Sequence, residues 1–416
     1  MSDVPVPVAP TERVAVLDVL RGVAIFGILI ANMVVVSGYW FLEEAERAAL
    51  STAALDGWVY FFAEILIEAK FYSIFSLLFG IGFAIQLGRA DARGVAFPAF
   101  FRRRLLGLFL IGAFHAVFLW AGDILLLYAL LGLLLVPFRQ FSDRELLRAA
   151  VVCLVLPIVV YALMLAAAGG GAPPATTEAA AAVREPPEFF RKMLLAFQEG
   201  TWFEAWRANL IYILGRWADL FFTVRFPKVF GMFLLGFLVG RSGVAQGILP
   251  APALLRRVVA VALLVGLPAS VLSAWLAEQD VWFPTSPLGL LQTTAAAIGV
   301  PLLALGYSAG VALLVQGGVG ARLLAPLAAP GRMALTNYML HSLIMTFIFY
   351  GWGLGWYGRV GPAATTLLAL AICAAQVPLS RWWLARYRYG PVEWLWRQFT
   401  YRQRLPLRHG SVAASR

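Results

Sequence analysis

Runs of roughly 20 apolar residues recur along this chain, and short clusters of arginine separate them. That alternation constrains the fold more than any single motif. A helix of about 20 apolar residues is what crosses the hydrocarbon of a bilayer, where every backbone polar group must be satisfied within the spanning structure. Composition agrees: 61% of the 416 residues are apolar, 13% are charged and mean hydropathy is +0.81. A soluble domain is about half apolar and a quarter charged. Lipid is therefore the expected solvent, and the chain reads as an all-α polytopic membrane protein. The same figures exclude a disordered chain, a coiled coil and a disulfide-stapled secreted domain. Cys153 and Cys373 both lie inside apolar runs and are read as free thiols.

Ten segments are expected to cross the bilayer: 14–36, 71–88, 104–120, 123–138, 149–168, 229–247, 258–277, 288–316, 333–352 and 363–383. Residues 57–70 are amphipathic, either an interfacial helix or the start of one long tilted helix. Amphipathic or re-entrant helices are also expected within 188–226, where 207–226 is open between a span and a re-entrant segment. Arg89, Arg93 and Arg102 to Arg104 lie between the second and third segments, and Arg139, Arg144 and Arg148 between the fourth and fifth. Those loops and the arginine-rich tail after 380 should be cytoplasmic by the positive-inside rule. The acidic stretches 37–56 and 169–206 should be external. If 207–226 does not cross fully, Arg241, Arg256, Arg257, Arg322 and Arg332 also fall inside. The expectation is ten spans with both termini cytoplasmic.

The net charge of +11 sits in these clusters, so it writes topology and implies no nucleic-acid partner. The first dozen residues lack a positive n-region, and no small-residue cleavage site follows the first span, which reads as an uncleaved anchor. Four regions result: 1–168, a membrane half carrying the candidate site; 169–206, an external Gly/Pro/Ala linker and amphipathic segment; 207–390, a second membrane half; and 391–416, a cytoplasmic basic tail. No repeat relates the halves, so the sequence lends no support to an inverted-repeat transporter.

Ionisable residues inside spans are costly and mark function by default. Asp18 and Arg21 are three apart and share a helix face. Asn32 returns to within about 40° of Asp18 and 20° of Arg21, giving span one a polar stripe that is either functional or an ion pair locking two helices. His115 lies about 16 Å along the helix from Arg104, past mid-membrane. Asp123 follows in the elbow before the next span. A histidine beside a carboxylate is the minimal general-base arrangement; the alternative is a buried histidine bonded to a carbonyl, with Asp123 capping the next helix. His341 shares a face with Asn337, four residues earlier, and could look into the same cavity as His115, more as a polar or substrate contact than as a catalyst. Tyr128 is a further candidate cavity residue.

Other motifs are bland. Gly80, Gly82 and Gly88 read as packing glycines. The sequence offers no phosphate-binding P-loop, no metal-ligand cluster and no Ser–His–Asp pattern in an elbow. His409 lies in the solvated tail. Tyr389–Arg397, YGPVEWLWR, reads as an aromatic-cationic anchor at the interface.

LDVLRG at Leu17–Gly22 with Asn32, FYSIFSLLFGIGF at Phe71–Phe83, the His115 segment, GRMALTNY and YGPVEWLWR together resemble the YeiB-like family of bacterial membrane proteins, which carry an uncharacterised C-terminal domain. The resemblance covers nearly the whole chain and implies the bacterial cytoplasmic (inner) membrane. More remotely, the Leu-Asp-x-x-Arg-Gly pattern resembles transmembrane acyltransferases typified by heparan-alpha-glucosaminide N-acetyltransferase. That likeness implies transfer of an acyl group, acetyl above all, from cytoplasmic acetyl-CoA or another acyl-CoA to an external sugar or lipid-linked hydroxyl or amine through an intramembrane histidine. It also implies a homodimer. The family's pattern often carries glutamine where this chain has His341.

The expected assignment is then His115 as base or acyl carrier, Asp123 orienting it, Arg102, Arg103 and Arg104 on the acyl-CoA phosphates, and Asp18, Arg21 and Asn32 along the pantetheine path, with no metal. Two rivals use the same residues: a transporter or flippase for a lipid-linked or small polar solute, and an assembly protein whose polar pairs only hold helices together.

Overall fold

Apolar side chains at helical spacing, with proline or a hydroxyl residue at many starts, build a structure whose described residues are almost entirely helical. The computed structural model describes residues 14–94, 96–169, 188–279 and 285–409. Most of the Gly/Pro/Ala linker, residues 170–187, lies outside them. In chain order the helices are α1 (Ala15–Val36), α2 (Glu44–Ala48), α3 (Ala53–Leu66), α4 (Lys70–Ala92), α5 (Phe97–Phe118), α6 (Leu125–Leu135) and α7 (Asp143–Ala167). After the linker come α8 (Glu188–Gln198), α9 (Trp202–Phe222), α10 (Arg225–Arg241), α11 (Pro252–Val261), α12 (Leu267–Ala277) and α13 (Pro287–Gln316). The last are α14 (Gly318–Leu324), α15 (Ala328–Arg332), α16 (Ala334–Phe349), α17 (Pro362–Arg386) and α18 (Pro391–Tyr401).

Among the described residues, six stretches are long and apolar enough to cross a membrane: Ala15–Phe41, Ala53–Ala92, Asp143–Ala167, Pro252–Ala277, Pro287–Gln316 and Pro362–Arg386. A seventh is added if α9 and α10, bent by 67° at their junction, count as one broken span. The chain is thus a multi-pass membrane protein by length and apolarity, with fewer self-sufficient spans than the ten expected. The shortfall has physical causes. Helix α6 is 11 residues and α16 is 16, about 17 and 24 Å at 1.5 Å per residue, against about 30 Å of hydrocarbon. Helix α5 carries Arg102, Arg103 and Arg104 within its first half. Residues 57–70 fall in α3 and the break leading into α4, and 207–226 in α9 and the bend.

Local signals account for several helix starts. Ser142 and Thr201 form capping boxes with Glu145 and Glu204, reciprocal bonds that satisfy free N–H groups. Two breaks are less ordinary. Ala69 precedes α4 at φ 64°, and Val224 precedes α10 at φ 50°. A left-handed conformation costs a non-glycine residue about 1–3 kcal/mol and persists only where surrounding contacts impose it.

Helices α4 and α10 cross at the centre. A Cβ on Gly80 would fall on the Phe233 carbonyl, and one on Gly236 on the Leu77 carbonyl. The two glycines let the backbones touch, and Phe79 stacks on Phe233 with ring centroids 4.3 Å apart. Around this crossing lies a core that includes Phe83, Phe101 and Phe237. On α7, by contrast, Val151, Val152, Val159 and Leu163 are exposed, as befits a helix with one face in lipid. Gly80→Val should lower stability by about 1–3 kcal/mol through overpacking, whereas Gly88→Ala, which would meet open space, should leave it unchanged. Thermal unfolding of the two variants in one detergent checks this.

Candidate functional site

His115 occupies the last turn of α5, and the chain reverses over Leu119–Ile124 before α6 begins. The reversal is clamped from α9: Asn209 accepts from Ala121 N at 2.7 Å and donates to the Ala116 carbonyl at 2.7 Å. Asp123 lies in the turn, where Oδ1 accepts from Leu126 N at 2.7 Å. Its other oxygen, Oδ2, stands 2.9 Å from His115 Nδ1, at an angle too bent for a hydrogen bond. The capping and histidine-facing roles of Asp123 are therefore held together, one by each oxygen. Asn209 went unnoticed in the sequence, although an asparagine in an apolar stretch is a recognisable signal.

On its other side, His115 Nε2 lies 2.7 Å from Ser342 Oγ, contributed by α16. His115 and Ser342 are completely buried, and Asp123 nearly so. A proton on Nδ1 facing the carboxylate leaves Nε2 to accept from the serine hydroxyl. His115 thus has a carboxylate from the turn that follows it and a serine 227 residues away, a separation no local motif could signal. The Tyr338 ring lies against the imidazole, centroids 4.7 Å apart and planes inclined by 32°.

His341 does not join them. Its Nε2 meets Gln376 Oε1 at 2.6 Å on α17, and the expectation that the two histidines could face one cavity is corrected. Adjacent helical residues diverge by about 100°, so the serine next to His341 took the place beside His115. Asn337 is also occupied, donating to the Pro330 carbonyl at 3.2 Å and to Ser380 at 3.3 Å.

Beneath Tyr338 opens a cavity of about 310 Å³, bounded by Asp18, Arg21, Tyr128 and Tyr338. Arg89, Arg104, Arg332, Arg388 and Arg397 also line it. Asp18 and Arg21 form the expected pair at 2.7 Å. They are seated by a close approach of α1 and α15, where a Cβ on Gly331 would strike the Asp18 carbonyl. Of the arginine run, Arg104 alone lines the cavity, its guanidinium 3.8 Å above the Trp396 ring. Arg102 is exposed and Arg103 half-buried, both outside the lining. Half-buried Asn32 also stays outside it.

The tail does more than anchor. Helix α18 folds back over α5, and Trp396 Nε1 donates to the Arg104 carbonyl at 2.8 Å. Glu393 caps the start of α16, accepting from Leu335 N at 2.7 Å and Thr336 N at 3.0 Å. Burial pushes the Glu393 carboxyl up, opposed by its bonds to Thr336. Glu393→Ala would leave both N–H groups without their acceptor, at a cost of about 1–3 kcal/mol. The expected result is a lower unfolding midpoint and faster tryptic cleavage after Arg397 and Arg402, read by mass spectrometry.

The comparisons with known proteins agree on kinship. The family described as "Protein of unknown function (DUF418)" matches residues 239–403. "Uncharacterized protein YxaH" of Bacillus subtilis (strain 168) is 32% identical over 410 residues, 95% of this chain and 96% of the relative. "Uncharacterized protein YeiB" of Escherichia coli (strain K12) is 29% identical over 403 residues, 94% of this chain and 97% of the relative. No solved structure matches the chain. End-to-end identity to these relatives, together with the motifs from Leu17 to Arg397, places the chain in the YeiB-like family.

Proposed function

We propose that this protein is a transmembrane acyltransferase of the bacterial inner membrane, moving an acyl group from cytoplasmic acyl-CoA to an external hydroxyl or amine. The observation that carries the reading is a completely buried His115, set between the Asp123 carboxylate and the Ser342 hydroxyl and separated from an arginine-lined cavity by the Tyr338 ring. In this reading α5, α6, α10 and α16 complete a ten-crossing arrangement, both termini are cytoplasmic, and the arginine-lined mouth faces the cytoplasm.

The phosphates of acyl-CoA would meet Arg104, Arg332, Arg388 and Arg397, where guanidinium forks suit phosphate oxygens. The pantetheine arm would follow the cavity past Asp18 and Tyr128 toward Tyr338. Ser342 holds the position at Nε2 that an acceptor hydroxyl or amine would take. His115 would remove the acceptor's proton as the acceptor attacks the thioester carbonyl, Asp123 would stabilise the resulting imidazolium, and the C–S bond would then break with that proton passing to the departing CoA thiolate. Tyr338 must swing aside for the thioester to reach His115.

Incubation of purified protein with radiolabelled acetyl-CoA tests this. Hydrolysis or label transfer should fall by about 10²–10⁴-fold in His115→Ala, and Arg332→Gln should raise KM more than it lowers kcat. If acetyl-CoA is neither consumed nor able to raise the unfolding midpoint, the reading is wrong. Transport of a small polar or lipid-linked solute is the second reading, favoured by the two broken helices α3–α4 and α9–α10, since such breaks frame transporter sites. Solute flux in proteoliposomes that survives His115→Ala would favour it.

A further inference from the structure

A second cavity, of about 300 Å³, lies at the opposite end of α4, about 28 Å from Arg89 at 1.5 Å per residue. It forms where the two broken helices meet, and two of the three left-handed non-glycine residues among those described, Ala69 and Val224, line it. Strained non-glycine backbone of this kind clusters at ligand sites. No side chain caps the start of α4 or α10, so both present the positive end of a helix dipole to the cavity.

Three cations line the same space: Lys70, Arg225 and Lys228. Lys70 is held by the Glu64 carbonyl at 2.6 Å. Arg225 lies over the Tyr72 ring at 5.5 Å and reaches Asp219 at 3.9 Å, while its buried Nε has no partner. Lys228 makes no hydrogen bond or ion pair among the described residues. Thr293 adds a buried hydroxyl, likewise without a partner. Glu64 and Glu68 are the carboxylates of the lining, and Asp219 beyond it is shared by Arg216 at 2.7 Å and Arg225 at 3.9 Å, so cations outnumber carboxylates in the lining by one. Unpaired polar groups at membrane depth are costly enough to mark a binding site.

The remaining wall is apolar: Leu154, Pro157 and Met164 from α7, and Val300 and Pro301 from α13. The far side of α7 is the exposed face already described. One side of the cavity therefore suits a compact anion with several oxygens, and the other suits a hydrocarbon chain.

We propose that this cavity binds the phosphate of a membrane amphiphile, with Arg225 and Lys228 on the phosphate oxygens, Thr293 donating to them, and the α7–α13 wall against the chain. The site stands on its own geometry, and acyl transfer at His115 can fail without touching it.

The test uses the full chain in detergent and displacement of a fluorescent short-chain phosphatidic acid. Three competitors separate the contributions: dioctanoyl phosphatidic acid, dioctanoylglycerol with the same chains and no phosphate, and glycerol 3-phosphate with no chains. Dioctanoyl phosphatidic acid should compete about tenfold better than either of the others. Lys228→Gln should weaken its binding by a similar factor, and Arg332→Gln, at the other cavity, should leave it unchanged. Thr293→Val provides a milder variant should Lys228→Gln fold poorly, with a loss of several-fold expected. Equal competition by dioctanoylglycerol would reduce the site to an apolar pocket and overturn the proposal. Equal competition by glycerol 3-phosphate would replace the lipid with a soluble ester. Binding lost in Arg332→Gln but kept in Lys228→Gln and Thr293→Val would move the phosphate to the other cavity.

Discussion

Asp123 divides its two carboxylate oxygens between a helix start and a buried histidine. One accepts the Leu126 N–H and so fixes where α6 starts; the other faces His115. A carboxylate this deeply buried persists only where its surroundings repay its lost hydration, so helix start and imidazole position are set together. Asn209 pins the same turn from α9, and Ser342 closes the other side of the imidazole from α16. Three separately inserted segments thus converge on one histidine. None of them can shift by much without leaving a polar group bare among apolar neighbours.

The arginine-lined end solves a different problem. Guanidinium groups crowded around one cavity repel one another, and for two of them the fold supplies an aromatic ring. Arg104 and Arg397 lie over the rings of Trp396 and Tyr389, 3.8 and 4.9 Å from the centroids, where cation–π attraction offsets part of the repulsion. Arg21 has Asp18, and Glu393 is spent on the backbone of α16. Positive charge remains in excess in the cavity, which is the state a polyanionic ligand requires of its site. The tail contributes both rings, Tyr389 just before α18 and Trp396 within it, and part of the charge.

Sequence patterns were most informative where interactions are short in range. Each of the ten expected spans overlaps a helix, because apolar runs and capping residues are local, although six or seven stretches among the described residues suffice on their own to cross. The Asp18–Arg21 pair and the His115–Asp123 approach were visible for the same reason, lying three and eight residues apart. Ser342 was invisible: a serine in an apolar helix is ordinary until a histidine 227 residues away lies against it. His341 attracted attention by residue type and proved to be bonded to Gln376. The arginines were recognisable as a group but not individually, since charge patterning fixes a side of the membrane and not a contact. Nothing in AK at Ala69–Lys70 or VR at Val224–Arg225 announces a left-handed turn, because neither residue favours it.

The two cavities share α4 as a wall, and the polar layer between them determines whether they communicate. Tyr72 lines one cavity and Tyr128 the other. The Tyr128 hydroxyl donates to the Tyr72 carbonyl at 2.8 Å, and Ser76 Oγ lies 2.8 Å from both that carbonyl and the Tyr128 hydroxyl and donates to one of them. Both hydroxyl hydrogens find acceptors within the layer, so water has little to gain by entering. Phe79 and Phe233 pack beside it, Phe79 edge-on to Tyr128 at 5.6 Å. The cavities are therefore back-to-back chambers divided by a closed seam. A protein that handled ligands from both sides of a bilayer would need such a seam, because an open path between the chambers would leak ions along their charged linings.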